Sequence, residues 1–157
     1  MTFRVIVTVV ATALAVGAAS AEPVQCTIAD CQVGRTVWSA SASGGTYFVC
    51  PTAELSEYVN SVLGLISLAN SVGSPLPEPS PITGEPSYTG ETKAFLDTLR
   101  HGAGVRTLDE AVAQCRKGRH NQSLVVKEKI RRSIYVTSKK APRETFWMPA
   151  SSADLRQ

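Results

Sequence analysis

The sequence predicts a small α+β domain that is predominantly helical and stapled by disulfides. Two short runs of β-branched and aromatic residues predict an N-terminal β-hairpin, and apolar residues at helical spacing then predict one long and two short helices. Four cysteines, all located after an N-terminal leader, predict two cross-links. A basic C-terminal segment completes the predicted domain as either a strand or a helix.

Residues 1–21 have the pattern of a secretory signal peptide. Arg4 precedes an apolar run over residues 5–19, and Ala19-Ser20-Ala21 supplies a small-x-small cleavage site. The run is shorter than the roughly 20 apolar residues of a spanning helix, although a membrane anchor is the alternative. Its Ala/Val-rich composition favours a bacterial leader. We therefore expect cleavage after Ala21, a mature chain that does not span the membrane, and a periplasmic or secreted location.

The mature chain, residues 22–157, has the length of a single domain with a modest core. An even number of cysteines in an oxidising compartment predicts two disulfides, for which three connectivities exist. We favour Cys26 with Cys31, which closes a small loop, and Cys50 with Cys115, which is a long staple. In the chain-entropy model, a loop of about 65 residues corresponds to roughly 4 kcal/mol of stabilisation.

The first half of the mature chain changes from a strand-like to a helical pattern. Thr36-Val37-Trp38 and residues 46–49 flank a small, flexible run, which predicts the β-hairpin. After Pro51 the apolar residues recur every three or four positions, which predicts an amphipathic helix from about residue 53 to residue 69. We expect its apolar stripe to face the core, and a partner-binding groove is the alternative.

A proline-rich stretch, residues 71–90, predicts an extended internal linker, because proline at this density continues neither a helix nor a sheet. Two short helices are predicted after it, beginning at Thr89 and Thr107 and ending at Gly102 and Gly118. Thr107 and Glu110 form a capping box at the start of the second. This helix is expected to place Cys115 on its inner face, within reach of Cys50.

The charges of the mature chain are unevenly distributed. Residues 22–115 carry ten acids and four bases, whereas residues 116–157 carry three acids and eleven bases. Within the basic segment, residues 116–143, alternation from residue 124 to residue 136 favours a strand with one cationic face over a helix. Such asymmetry concerns partners rather than fold. The basic end lies against the acidic half, forms a solvated tail, or contacts an anionic partner.

These observations predict an exported, non-catalytic binding or assembly module of the cell envelope. Its partner would be an envelope protein or an anionic envelope polymer or lipid. We do not expect nucleic acid, because the segment lacks an interleaved aromatic platform and Tyr135 stands alone in it. A secreted effector or inhibitor acting on a foreign enzyme is the second hypothesis. The predicted contact residues are Arg116, Lys117, Arg119, Lys127, Lys129, Arg131, Arg132 and Trp147.

A cysteine hydrolase is the third hypothesis. Cys50 directly precedes a helix N-terminus, where a thiolate is favoured, and His101 or His120 would have to act as its base. The even cysteine count argues instead for a bonded sulfur. The cysteine spacing does not indicate a zinc site, and no phosphate-binding loop or hydrolase elbow is present in the sequence. We therefore expect no enzymatic activity, no metal and no cofactor.

Overall fold

The computed structural model of the chain describes residues 24–27, 31–40 and 45–156, so the predicted signal peptide lies outside the described residues. Three strands come first along this part of the chain, then three helices, and then the remaining strands. In order they are β1 (Val24–Gln25), β2 (Thr36–Ser39), β3 (Phe48–Val49), α1 (Ala53–Ser71), α2 (Gly90–Gly102), α3 (Leu108–Ala113), β4 (Arg116–Lys117), β5 (Ser123–Ile130), β6 (Ser133–Ser138), β7 (Thr145–Pro149), a short 3-10 helix (Ala150–Ser152) and β8 (Ala153–Leu155).

Six of the strands form one antiparallel sheet in the order β1-β8-β2-β5-β6-β7, and β3 pairs with β4 in a separate two-stranded ribbon. The ribbon continues the sheet beyond β7, because Cys50 and Trp147 exchange two backbone hydrogen bonds of 2.9 Å each. The large sheet therefore has its open edge at β1 and is extended by the ribbon at β7.

The ribbon and β2 approach each other at Arg119, which follows β4. The hydroxyls of Ser39 in β2 and of Tyr47 before β3 both donate to the carbonyl of Arg119, at 2.6 and 2.7 Å. Burial raises the pKa of the Tyr47 hydroxyl. The strands thus curve around an apolar interior. It contains Val37, Val49, Leu124, Val126, Ile134, Val136, Phe146 and Met148 together with Cys26 and Cys31.

The three helices form a second core beside β3 and β7. Thr52 caps α1 by accepting a 3.2 Å hydrogen bond from the backbone N–H of Leu55. The apolar residues in the first half of α1 are buried against α2 and α3, whereas much of its second half is exposed. The buried members of this core are Cys50, Leu55, Tyr58, Val59, Val62, Leu96, Val105 and Ala111.

The proline-rich segment, residues 71–90, is held to the helices by Glu85, which is only 5 % exposed. Its carboxylate accepts hydrogen bonds from the Tyr58 hydroxyl and from Arg100, whose Nη1 lies 2.7 Å away. Burial, and then the hydrogen bond to Glu85, raises the pKa of Tyr58. A buried carboxylate requires such partners. The segment is therefore fastened at this point while most of its other residues remain exposed.

The prediction of a predominantly helical fold is wrong, because the largest element is the six-stranded sheet. The prediction of an N-terminal β-hairpin is also wrong: β2 lies between β5 and β8, and β3 pairs with β4. The strand-like residues were correctly located, but short strands take their partners from the core that they share, not from chain proximity. The C-terminal residues, which show no period in the sequence, supply β7 and β8.

The basic segment, residues 116–143, forms β4, β5 and β6, where a single strand or helix was expected. Its centre is a hairpin with Ile130 opposite Ser133, so that Arg131 and Arg132 make a two-residue turn. A β-bulge interrupts the register between Val126 and Glu128. The helix that precedes this segment ends at Ala113, before Cys115, and not at Gly118.

Both predicted disulfides are confirmed, Cys26–Cys31 and Cys50–Cys115. Two cross-links of this kind indicate an oxidising, extracytoplasmic environment. Among the described residues, no helix has both the length and the apolar character needed to cross a bilayer.

Removing the long staple is expected to cost more stability than removing the short one. The chain-entropy model gives about 4 kcal/mol for the 65-residue separation of Cys50 and Cys115 and about 2 kcal/mol for the 5-residue separation of Cys26 and Cys31. Urea unfolding of the Cys50→Ala/Cys115→Ala variant, with Cys26→Ala/Cys31→Ala as the matched control, measures both. A greater loss in the control would contradict the prediction.

Candidate functional site

The predicted contact residues are divided between the two ends of the β5–β6 hairpin. Arg116, Lys117 and Arg119 lie at the end where β5 begins, whereas Lys129, Arg131 and Arg132 lie at or next to the turn. A strand of 8 residues separates these ends by about 23 Å. Lys127 lies between them at the bulge. The structure therefore places the predicted cations on two surfaces and not on one.

The first surface contains more cations than were predicted. The backbone N–H of Lys139 bonds the carbonyl of Ser123 at 3.0 Å, which brings the β6–β7 loop beside the start of β5. Arg116 is also exposed at this end, but its charge is paired: its guanidinium lies 2.5 Å from the Glu144 carboxylate and 5.0 Å above the Phe146 ring. We define the loop-end surface as the exposed residues Lys117, Arg119, Lys139, Lys140 and Arg143.

Lys139, Lys140 and Arg143 were not among the predicted contact residues. Their positive charge was visible in the sequence, but their position depends on the turn between β6 and β7. Among the described residues, no carboxylate forms an ion pair with any of the five loop-end cations. The loop-end surface is thus an uncompensated cationic area.

The second surface is the hairpin tip, defined as Arg131 and Arg132. The carboxylate of Glu57, a buried residue of α1, accepts a hydrogen bond of 3.2 Å from the backbone N–H of Arg132. Nη1 of Arg131 lies 3.5 Å from the same carboxylate, and the Arg131 side chain is 73 % exposed. Glu57 therefore fixes the turn against α1 while both guanidinium groups remain accessible to solvent.

Arg131 has a backbone conformation that is unfavourable for a residue with a side chain. Its φ is +49°, in the left-handed region, where a Cβ costs roughly 1–2 kcal/mol. Glycine is the residue favoured at such a turn position. Strain of this kind is concentrated at functional sites, so an arginine at this position is a reason to look for a ligand next to the tip.

A groove of about 1030 Å³ runs from the hairpin tip along α1. Residues of α1 between Ser56 and Ser71 form its floor, one face of α2 forms a wall, and residues at the ends of β7 and of the 3-10 helix line the opposite side. Its apolar side chains are Leu63, Leu68, Phe95 and Leu99, of which Leu68 is 60 % and Phe95 41 % exposed. Both residues of the tip line the same groove.

Several polar side chains of the groove are already engaged within the protein. The Asn60 amide donates to the carbonyls of Phe48 and Ser56 and accepts from the Phe48 N–H. The hydroxyl of Ser56 accepts from Ser133, and those of Ser71 and Thr98 donate to carbonyls of their own helices. Ser61, Ser67, Ser151 and Ser152 also line the groove. The accessible lining is consequently mostly apolar, with positive charge at one end.

Trp147 lies on neither cationic surface. It is opposite Tyr135 in the β6–β7 register, and the two ring centroids are 5.3 Å apart. Pairing of β6 with β7 thus gives Tyr135, the one Phe, Tyr or Trp of the basic segment, an aromatic neighbour from outside that segment. Sequence reasoning missed this contact because the C-terminal stretch shows no strand period.

The structure also locates residues of the cysteine hydrolase hypothesis. Cys50, the nucleophile of the hydrolase hypothesis, is bonded to Cys115 and carries no thiol. His120 packs edge-on against Tyr47, with ring centroids 5.8 Å apart. Within residues 24–27, 31–40 and 45–156, no cluster of three or more histidine, cysteine or acidic side chains has the arrangement of a metal site.

Comparison of the chain with protein-family models, with curated proteins and with solved structures finds no match.

The positive φ of Arg131 leads to a prediction about stability. Arg131→Gly is expected to leave the free energy of unfolding unchanged or to raise it by up to about 1 kcal/mol, because glycine relieves the left-handed strain. The contact with Glu57 is exposed and contributes little. In the matched control, Arg132→Gly, no such strain is relieved and a loss of about 0.5–1 kcal/mol is expected. If urea unfolding gives Arg131→Gly a lower free energy of unfolding than Arg132→Gly, this explanation of the turn is wrong.

Proposed function

We propose that the protein is a non-catalytic binding or assembly module of the cell envelope, exported to the periplasm or the medium, which contacts an anionic partner through its basic C-terminal segment. One observation carries the proposal. Within the part of the chain that the structure describes, seven exposed cations of this segment have no carboxylate partner. They are Lys117, Arg119, Lys127, Arg132, Lys139, Lys140 and Arg143.

The main competing interpretation was that the acidic half of the domain neutralises this segment. The ion pairs of the described residues argue against extensive neutralisation. Glu85 and Asp97 pair with Arg100, and Asp97 also pairs with Lys93, so these charges are satisfied within the helical half. Hydrogen bonds from Lys93 and then Arg100 lower the pKa of Asp97, which keeps it ionised. Glu57 reaches across to Arg131, and among the described pairs it is the one acid of the helical half to do so.

The compartment restricts which anions are available. An oxidising, extracytoplasmic space contains phospholipid headgroups, anionic polysaccharides and the acidic surfaces of other envelope proteins, whereas nucleic acid is largely confined to the cytoplasm. Exposed cations attract such partners over about one Debye length, which is about 10 Å at 0.1 M salt. We therefore propose an anionic lipid or polymer of the envelope, or an acidic envelope protein, as the partner.

Charge reversal on the loop-end surface is expected to weaken binding. Protein recovered from the exported fraction would be titrated with anionic and zwitterionic vesicles and with isolated wall polymer, while salt is raised from about 50 mM to about 500 mM. Each cation near an anionic membrane contributes about 1 kcal/mol, so Lys139→Glu/Lys140→Glu should reduce vesicle affinity at least about tenfold.

The matched control is Arg35→Glu/Arg106→Glu, which changes the net charge equally at exposed positions outside the basic segment. This control should lose less than about threefold in affinity. Binding that is insensitive to salt, or an equal loss in the control, would refute a contact through the basic segment.

A further inference from the structure

We infer that the groove along α1 binds one acyl chain of an anionic phospholipid, with the phosphate of the headgroup at Arg131 and Arg132. This inference rests on the proposed function, since it selects a lipid from the anionic partners of the envelope. It adds a second, specific site to the diffuse attraction of the loop-end surface. The shape of the groove, the chemistry of its lining and the position of its charges all favour such a ligand.

The groove has the length of a lipid chain. The residues of α1 that line its floor extend from Ser56 to Ser71. A rise of 1.5 Å per residue makes this floor about 22 Å long. The hydrocarbon core of a bilayer is about 30 Å thick, so a chain from one leaflet extends over about 15 Å. One chain and the start of its headgroup therefore fit along the floor.

The lining is better suited to hydrocarbon than to a peptide or a sugar. Leu63, Leu68, Phe95 and Leu99 supply apolar contact area. Backbone groups use both amide hydrogens of Asn60 and one acceptor position of its oxygen. The hydroxyl groups of Ser56, Ser71 and Thr98 are hydrogen-bonded within the protein. A peptide or a glycan in this space would lose water without gaining enough partners, which costs about 1–3 kcal/mol for each unsatisfied group. An acyl chain has no such groups to satisfy.

Positive charge is concentrated at one end of the groove. The tip arginines line that end, and Glu57 holds their backbone through the Arg132 N–H. The Arg132 side chain forms no ion pair with a described residue, and the Arg131 guanidinium lies 3.5 Å from Glu57 with most of its surface exposed. Two guanidinium groups can donate several hydrogen bonds to phosphate oxygens. An apolar groove with a cationic end complements an amphiphile with an anionic head.

Gly64 provides a direct test because it lines the middle of the floor, and a Cβ placed on it meets no atom within 4 Å. Gly64→Phe should therefore fill the groove without disturbing the fold, and it also replaces a poor helix former. We expect its affinity for lysophosphatidylglycerol, measured by calorimetry below the critical micelle concentration, to fall at least about tenfold while its denaturation midpoint does not fall. Gly102→Phe is the control, since Gly102 has similar open space and does not line the groove.

The headgroup is tested by Arg131→Glu/Arg132→Glu. This variant should lose affinity for lysophosphatidylglycerol at least about tenfold and retain its weaker affinity for lysophosphatidylcholine of the same chain length. Unchanged binding of lysophosphatidylglycerol by Gly64→Phe would overturn the inference. Tighter binding of a fatty acid of the same length would overturn the assignment to phospholipid. Tighter binding of an acidic peptide would overturn the assignment to a lipid.

The two proposals fail in distinguishable ways. Lys139→Glu/Lys140→Glu should weaken adsorption to anionic vesicles and leave the binding of monomeric lysophosphatidylglycerol unchanged, because these residues do not line the groove. Salt-sensitive adsorption to vesicles without any lysolipid binding would overturn the groove inference and support the proposed function. The absence of salt-sensitive binding to every anionic ligand tested would overturn both.

Discussion

Cys50 connects the two cores and fixes their relative position. Its backbone pairs with Trp147 through two hydrogen bonds of 2.9 Å, which ties it to the sheet. Its side chain lies in the helical core and is bonded to Cys115, and α1 begins three residues later, at Ala53. A single residue thus fixes the start of the longest helix relative to the edge of the sheet. The groove lies between these two parts of the molecule, so its geometry follows from this junction.

The charge distribution follows from the same arrangement. In the helical half, Glu85 and Asp97 pair with bases of that half. The ion pair of Glu85 with Arg100 holds the proline-rich segment against α1 and α2. The basic segment is placed in β4, β5 and β6, where its cations project from the two ends of a hairpin. The contact of Glu57 with the hairpin tip then aligns one of these ends with the groove. The cations that are concentrated in the C-terminal part of the sequence therefore form two separate surfaces in the structure.

Much of the helical half could be predicted from the sequence, because helical periodicity and capping are local. Thr52 and Thr107 cap α1 and α3 as their positions indicate, and the disulfide pairing followed from the expected positions of the cysteines. The sheet could not be predicted in the same way. The partner of β2 is β5, whose register sets Trp38 opposite Ser123, 85 positions along the chain. Strand propensity indicates only that a segment fits a half-buried pleated surface. Which strand it pairs with depends on packing in the whole core.

The candidate site was predictable in composition and not in arrangement. The basic residues were evident in the sequence. Alternation assigns a side chain to one face of a sheet, however, only if the strand is known to continue without a bulge or a turn. The bulge after Val126 and the turn at Arg131 change the direction of the chain twice within a stretch that appeared to be one strand. Backbone energy alone would favour glycine at position 131. The residue there is instead an arginine, and it lies at the charged end of an apolar groove. An energetically disfavoured cation at the entrance to an apolar groove is the arrangement expected when a ligand, and not the stability of the fold, determines the residue.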